Sequence, residues 1–428
     1  MEQKNQISLV NAILKGMNIM VGAAILAAPQ IITTAAGDMG IFAWGVSLVI
    51  LPIVLSIMRL TQLVENDGGI YAYAQKALGR SVGFLSGSMY YLGYTFAATA
   101  VISFLRALLL TAFPETFLIQ NIFAFYGIAM ALIATLNLVS IRVMNSFETP
   151  AILLKFAPLF IVIGAIPFAS GSDFVFDLSK LGNLPSALTT AIFGFLGFEY
   201  SLALNQYLSN KEVNGPRAVV GTFLSTTVLY VLFHFGLLKL MGSQNLATLG
   251  ATGFASFLPL SSITIKLWVA MLLGFAIKLS YFSSANGMTF GNITTLYGLA
   301  KDKLIRGGEI LTITNQNDRP LFAGILQFIT IYALGTLVPN ILVLANLTNL
   351  TVLLVFVLLI TSLIAVLNKQ VAPSLSDKLI AFFGFISSVG LATYSFLSLG
   401  TSWSVRMNSV LPLVGCVLLS FIVYKPEE

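Results

Sequence analysis

The sequence predicts an all-α membrane protein that crosses the bilayer many times, and three observations predict it. Hydrophobic residues make up 57% of the 428 residues and charged ones 9%, which leaves too little polar surface to cover a soluble globule. The apolar residues run on for about twenty positions at a time instead of alternating over ten, so the backbone is satisfied inside helices and not in a β-barrel. Basic residues gather on alternate connections, as they do in cytoplasmic loops.

Hydropathy divides the chain into roughly twelve spans of bilayer-crossing length. They fall near 9–35, 41–64, 82–111, 118–139, 146–170, 184–208, 217–241, 263–290, 320–340, 343–366, 377–397 and 406–424. With the N-terminus inside, the even-numbered connections hold Lys76, Arg80, Arg142, Lys211, Arg217, Lys301, Lys303, Arg306, Arg319, Lys369 and Lys378. The odd ones hold little beyond Lys180 and Arg406, so both termini are expected in the cytoplasm. The weakest division lies at Pro339 and Asn340, which supply nearly the whole turn between spans nine and ten. No signal-peptide cleavage pattern precedes the first apolar run. The +6 formal charge is therefore a matter of topology and not of nucleic-acid binding.

The residues exclude several chemistries. One cysteine, Cys416, makes no disulfide framework, and with a single histidine, His234, it forms no zinc or haem cluster. No metal or other cofactor is expected. A membrane enzyme would need a nucleophile with its base or an acidic metal cluster near one face, and a channel would need a repeated filter or charged ring; the sequence presents neither pattern. Gly68 and Gly69 shape backbone at the start of span three and are not phosphate binders, since no Lys-Ser/Thr follows them.

Two spans carry glycine in a pattern that interrupts a helix. Span one contains Gly16-Met-Asn-Ile-Met-Val-Gly22-Ala-Ala-Ile-Leu-Ala-Ala-Pro29, and span six contains Ile192-Phe-Gly194-Phe-Leu-Gly197-Phe-Glu199. They occupy corresponding places in two five-helix halves, where inverted-repeat transporters put broken helices. Close helix packing is the other common use of such glycines.

Charges at membrane depth cost on the order of 2.5–3.5 kcal/mol each. Arg59 and Arg106 lie near helix ends and can snorkel. Lys155, Glu199 and Lys278 lie deeper. Glu199 sits two residues after Gly197, directly beyond the expected turn, and caps the loose end of a half-helix, carries a proton, or does both. Lys278 is expected to meet Glu199 or a backbone carbonyl. His234 reads as a hydrogen-bonded core residue in preference to a proton relay. Trp44, Trp268 and Trp403 lie near helix ends, where tryptophan anchors the interface.

Three stretches resemble the amino acid–polyamine–organocation permease family: Gly22 to Pro29, the run Gly68-Gly-Ile-Tyr71-Ala-Tyr73 with Leu78-Gly79 and Gly83 to Gly87, and Phe193-Gly-Phe-Leu-Gly-Phe-Glu199. Asn214-Gly-Pro216-Arg217 stands where the family shows Asn-Pro and a basic residue. Departures are Ala24 for a frequent glycine, Asn292 for a frequent arginine, and no tryptophan in span six.

The resemblance implies a LeuT-like fold of ten core helices in a 5+5 inverted repeat plus two peripheral ones. It makes residues 1–428 one transporter domain, with repeats near 9–170 and 184–366 and peripheral helices near 377–424. It implies a permease of amino acids or related amines in the cell membrane, the inner membrane in a bacterium, working by alternating access; an exchanger is the alternative. Gly22, Ala23 and Ala24 would offer N–H groups to a substrate carboxylate. Phe193, Gly194, Phe195 and Leu196 would offer carbonyls to its ammonium, with Phe193 also as a lid. Sodium-independent members often carry a lysine in span five, so Lys155 is expected to donate to carbonyls beside the break near Gly22. Loss of its proton would release that clamp and couple transport to protons; a fixed structural cation that never titrates is the other reading. The expected partners are the small-molecule substrate and the lipid bilayer.

Overall fold

The computed structural model describes residues 8–64, 69–139, 141–169, 174–175, 177–200, 208–338 and 340–426. The side chains of Ala23, Ala24, 141–145, 147–149 and Lys211 lie outside that description. So do Gly68, Pro339 and the 201–207 portion of span six, on which earlier expectations fell.

Fifteen α-helices, together with short 3-10 links, make up almost all of the described chain. The first is α1 (Leu9–Met20), whose N-terminus is capped by Ser8. It is followed by α2 (Ala23–Ala36), a 3-10 link (Gly37–Gly45) and α3 (Val46–Leu63). Next come the short α4 (Tyr71–Leu78), the long α5 (Arg80–Ala112), α6 (Phe117–Gln120), α7 (Ile122–Leu138) and α8 (Ile141–Ala165). The second half holds α9 (Leu184–Phe195), α10 (Lys211–Leu249), α11 (Ile263–Lys301), α12 (Leu321–Leu337) and α13 (Ile341–Asn368). The chain closes with α14 (Leu375–Leu397) and α15 (Trp403–Ile422). Side-chain caps start several of them: Asn121 on α7, Ser262 on α11, Asn340 on α13, Ser374 on α14 and Ser402 on α15. Each accepts one of the N–H groups that a helix start leaves unpaired.

Among the described residues, eight helical stretches are long and apolar enough to cross a membrane, and α1, α7 and α12 are shorter apolar helices. This is fewer than the twelve spans read from hydropathy. Glycine divides span one, and the stretch Ile25–Leu63 runs through the 3-10 link, so two expected spans count as one. Asn340 does mark the turn between spans nine and ten, since α12 ends at Leu337 and α13 begins at Ile341.

Two packed groups organise the chain. In one, α1, α2, α3, α9 and α10 lie against each other; in the other, α5 packs along α11, α12 and α13, with α7 against α12. At one end of the molecule the connection after α11 folds onto the C-terminus of α7. There Asn315 Nδ2 donates to the Leu138 carbonyl (2.7 Å) and Arg319 Nε to that of Asn137 (2.8 Å). This supplies donors and a cation to the negative end of that helix. The same connection pairs with the C-terminal segment: Arg306 N donates to Val423 O (2.6 Å) and Lys425 N to Leu304 O (2.9 Å).

Candidate functional site

The break in span one is a single tight turn. Val21 has φ −76° and ψ 76°, and Gly22 N–H donates to the carbonyl of Met20 at 2.9 Å, the geometry of an inverse γ-turn. An uninterrupted helix would send that N–H to the carbonyl of Asn18. The turn therefore strands Asn18 O in the interior, where an unpaired acceptor costs about 1–3 kcal/mol.

Lys155 takes up that acceptor. Its fully buried ammonium donates to Asn18 O (2.6 Å), Asn18 Oδ1 (2.7 Å) and Ser284 Oγ (3.0 Å). Thus α8 sends a cation to the last turn of α1 and to α11. Gly22 must stay small for the same junction to close: a Cβ there would lie 2.5 Å from Ser284 Oγ and 2.8 Å from Ser284 Cβ.

The second break follows α9. Leu196 to Glu199 form a turn in which Gly197 has φ +111°, a conformation that suits glycine alone. A Cβ there would also press on Ile19 Cγ2 of α1 at 2.9 Å. This break strands donors instead of acceptors. Glu199, buried at 1% exposure, folds back so that Oε2 accepts the Gly197 N–H at 3.1 Å while Tyr94 of α5 donates its hydroxyl to Oε1. Tyr90 stacks beside Tyr94 with ring centroids 4.7 Å apart.

Tyr230 of α10 connects the two turns. Its hydroxyl lies 2.6 Å from Met20 O and 3.0 Å from Gly194 O; with one proton to give, it donates chiefly to Met20. The Gly194 carbonyl lies against the same hydroxyl with the lesser share of its proton, and the Phe193 carbonyl faces Leu196 N at 3.4 Å. Phe193 is buried, as is Phe195, which packs against Trp44, Phe223 and Tyr230. Of the residues singled out from sequence, Gly22, Phe193, Gly194, Phe195, Leu196, Lys155 and Glu199 all lie at or beside the two turns. The Gly22 N–H is spent inside its own turn, and Ala23 and Ala24 begin α2. Their backbone N–H groups are first-turn donors that a helix leaves unpaired.

Asn18, Ser284, Tyr94 and Tyr230 were not anticipated. Hydroxyls and an amide in apolar spans were the available signal, but an apolar helix in an apolar bundle carries no contrast to say which way they turn. Trp44 is a correction: it is 1% exposed, and its indole N–H donates to His234 Nδ1 at 2.9 Å, so it is no interfacial anchor. Indole is a donor only, which makes His234 Nε2 the protonated nitrogen, facing Thr33 Oγ1 at 2.9 Å. Lys278 donates to the Gly274 carbonyl at 3.3 Å. Arg106 holds the carbonyls of Ile119 and Gln120, and Arg59 pairs with Asp377. Among the described residues no cluster of His, Cys, Asp and Glu fit to hold a metal occurs.

A many-helix apolar bundle with two facing helix breaks, each with a buried charge beside it, is the architecture of a multi-pass membrane transporter. The amino acid permease family model matches residues 7–422, and the chain belongs to that family, whose members are transporters and not enzymes. It is similar to the serine/threonine exchanger SteT of Bacillus subtilis, 22% identical over 93% of this chain and 91% of that protein. It is also similar to the putrescine transporter PotE of Haemophilus influenzae, 23% identical over 99% and 98%. A third relative is the glutamate/serine transporter AimA of Bacillus subtilis, 23% identical over 67% and 58%.

Proposed function

We propose that the chain is a sodium-independent, proton-coupled permease of amino acids or related small amines, built on twelve spans in a LeuT-like inverted repeat. The observation that carries this reading is Lys155 on the carbonyl stranded by the first break. The protonated lysine there occupies the place where a coupling cation would meet the same oxygens. The turn at Gly22 to Ala24 receives the carboxylate, with the amides of Ala23 and Ala24 as its donors. The turn at Phe193 to Leu196 receives the ammonium on the carbonyls of Phe195 and Leu196, since that of Gly194 faces Tyr230. Phe193 closes the site. Alternating access is the rocking of the group α1, α2, α3, α9 and α10 against the group around α5 and α11, with Lys155 and Glu199 as coupling groups. The termini and the 301–319 connection face the cytoplasm; the pairing of that connection with Val423 to Lys425 supports the C-terminal segment and the connection lying on one side.

Obligate exchange is the second reading, favoured by likeness along nearly the whole chain to a serine/threonine exchanger. Proteoliposomes decide between them. Counterflow of labelled L-serine, L-threonine and putrescine identifies the substrate class, and accumulation driven by a pH gradient and collapsed by an uncoupler marks the coupled permease. Exchange without such accumulation establishes the exchanger, and transport that requires sodium removes the proposed role of Lys155. For topology, a cysteine at Lys303 should resist an impermeant reagent in intact cells; labelling there would invert the assignment.

A further inference from the structure

The two helices outside the ten-helix core are fastened to different bodies. On α14, Asp377 forms a two-pronged ion pair with Arg59 of α3 (Nε to Oδ1 2.7 Å, Nη2 to Oδ2 2.9 Å). One turn deeper, Ser56 of α3 shares its proton between its own Pro52 carbonyl (2.8 Å) and the Ile380 carbonyl of α14 (2.9 Å). Gly384 sits so close to α3 that an added Cβ would meet Pro52 O at 3.0 Å as well as the Ser56 hydroxyl. Near the other end, the Tyr394 hydroxyl donates to the Pro185 carbonyl at the start of α9. These polar attachments run to α9, which leads into the second break, and to α3, which packs against α9 and α10.

On α15 the attachments run the other way. Phe421 and Tyr424 stack on Phe84 of α5 with centroids 5.6 and 5.0 Å away, and the Tyr424 hydroxyl lies 3.0 Å from Ser81 Oγ. Val423 and Lys425 pair with the backbone of Arg306 and Leu304 just beyond α11. Between α14 and α15 lies only Ser398 to Ser402, where Arg406 Nε holds the carbonyls of Gly400 (2.7 Å) and Leu397 (3.1 Å). Although α14 also packs along α13, the hydrogen bond between them among the described residues is Asn346 Nδ2 to Ser398 O (3.3 Å), at the link itself. Apolar helix faces slide over one another by small shear steps, whereas ion pairs and directed hydrogen bonds hold register.

We infer that α14 is an outrigger of the body containing the two breaks, that α15 belongs to the body around α5 and α11, and that the 398–402 link, where Arg406 pins the start of α15 to the end of α14, is the pivot at the boundary about which the two helices change angle. The inference rests on the alternating-access reading. As that body rocks, α14 travels with it, slides along α13, and changes its angle to α15; the Arg59–Asp377 pair is the pin that makes it follow.

Pairs of spin labels test this in a Cys416→Ser background in nanodiscs, at the exposed positions Leu48 (α3), Leu379 (α14) and Leu419 (α15). The Leu48–Leu379 distance distribution should be narrow and unchanged by saturating L-serine. Leu379–Leu419 should be broad or two-peaked without ligand and shift with it. Arg59→Ala should add a second population to Leu48–Leu379, and the exchange Arg59→Asp with Asp377→Arg should remove it. A Leu48–Leu379 distribution as broad as Leu379–Leu419, or a single narrow Leu379–Leu419 population throughout, overturns the inference. Absence of L-serine, L-threonine and putrescine counterflow would instead be a failure of the functional reading, with the ligand-free widths still deciding the hinge.

Discussion

The two helix breaks solve opposite problems. At Val21 and Gly22 the turn strands an acceptor, the Asn18 carbonyl, and the protein answers with a cation from a different helix, Lys155. At Gly197 it strands a donor, and the answer is an anion from the same turn, Glu199. The first answer is tertiary, so it can be withdrawn when helices move apart; the second is local and travels with its own segment. A broken helix is thus polarised by which backbone group it leaves over, and that choice dictates the sign of the charge that must be buried beside it.

Four substitutions break or sharpen this contrast. The largest effect is expected from Gly22→Leu, because the new side chain enters the space of Ser284 and with it the Lys155 junction. Affinity for whichever of L-serine, L-threonine and putrescine gives counterflow should fall at least about 100-fold, roughly 2.7 kcal/mol, in protein that still inserts and elutes as a single species. Equilibrium binding in detergent measures it, and wild-type affinity would remove the first turn from the site.

Next is Lys155→Ala, which leaves the Asn18 carbonyl, the Asn18 side chain and Ser284 without their cation. Hydrogen bonds to a charged group contribute about 1.5–3 kcal/mol each, so pH-driven uptake should drop by one to two orders of magnitude, on the order of 1.4 kcal/mol per decade, while counterflow is partly retained. A well-folded variant that accumulates substrate with an unaltered pH profile would show that the ammonium is a fixed brace with no part in coupling.

For Glu199→Gln the expected cost is smaller, about 1–2 kcal/mol, since the amide keeps one oxygen acceptor but turns a donor toward Tyr94 or Gly197. Transport should persist with its pH dependence flattened. If the profile is unmoved, Glu199 is a cap and Lys155 alone is left as the coupling group. The smallest effect belongs to Trp44→Phe, which keeps most of the ring packing and removes one hydrogen bond to His234. A loss of about 1 kcal/mol in stability, read as a lower thermal midpoint, should come with unchanged transport. A changed pH profile would instead make His234 part of the proton path.

Much of this arrangement was readable beforehand, for identifiable reasons. Glycine pairs inside otherwise unbroken apolar runs announced where the helices stop, because few other residues tolerate φ near that of Gly197. The depth of Lys155 and Glu199 along their spans announced that each needs a polar partner. Which partner was not readable. Ser284, Tyr94 and Tyr230 sit in helices apolar on every side, where no amphipathic stripe records the direction of a residue. The γ-turn was equally hidden: it is one residue's choice of acceptor, and it spends the Gly22 N–H while leaving those of Ala23 and Ala24 as the first-turn donors of α2. Trp44 misled because nearness to a helix end in sequence does not give distance from lipid, and the 3-10 link after α2 carries it inward to His234. The attachment of α14 was the least legible, since Arg59 read as a snorkelling end-of-helix charge and nothing in the sequence pairs it with Asp377.

The pairing of Val423 to Lys425 with the 304–306 segment also bears on how the chain is made. Leu304 and Arg306 leave the ribosome long before the residues that complete their backbone bonds, so this corner stays unfinished through the insertion of four further helices. During that interval the Arg306 amide and the Leu304 carbonyl must be solvated, which requires the corner to remain in water while α12 to α15 enter the bilayer. Maturation of the corner then reports the arrival of residues 423–425: proteolytic resistance near residues 302–306 should rise late in synthesis, after the other helices have become protected.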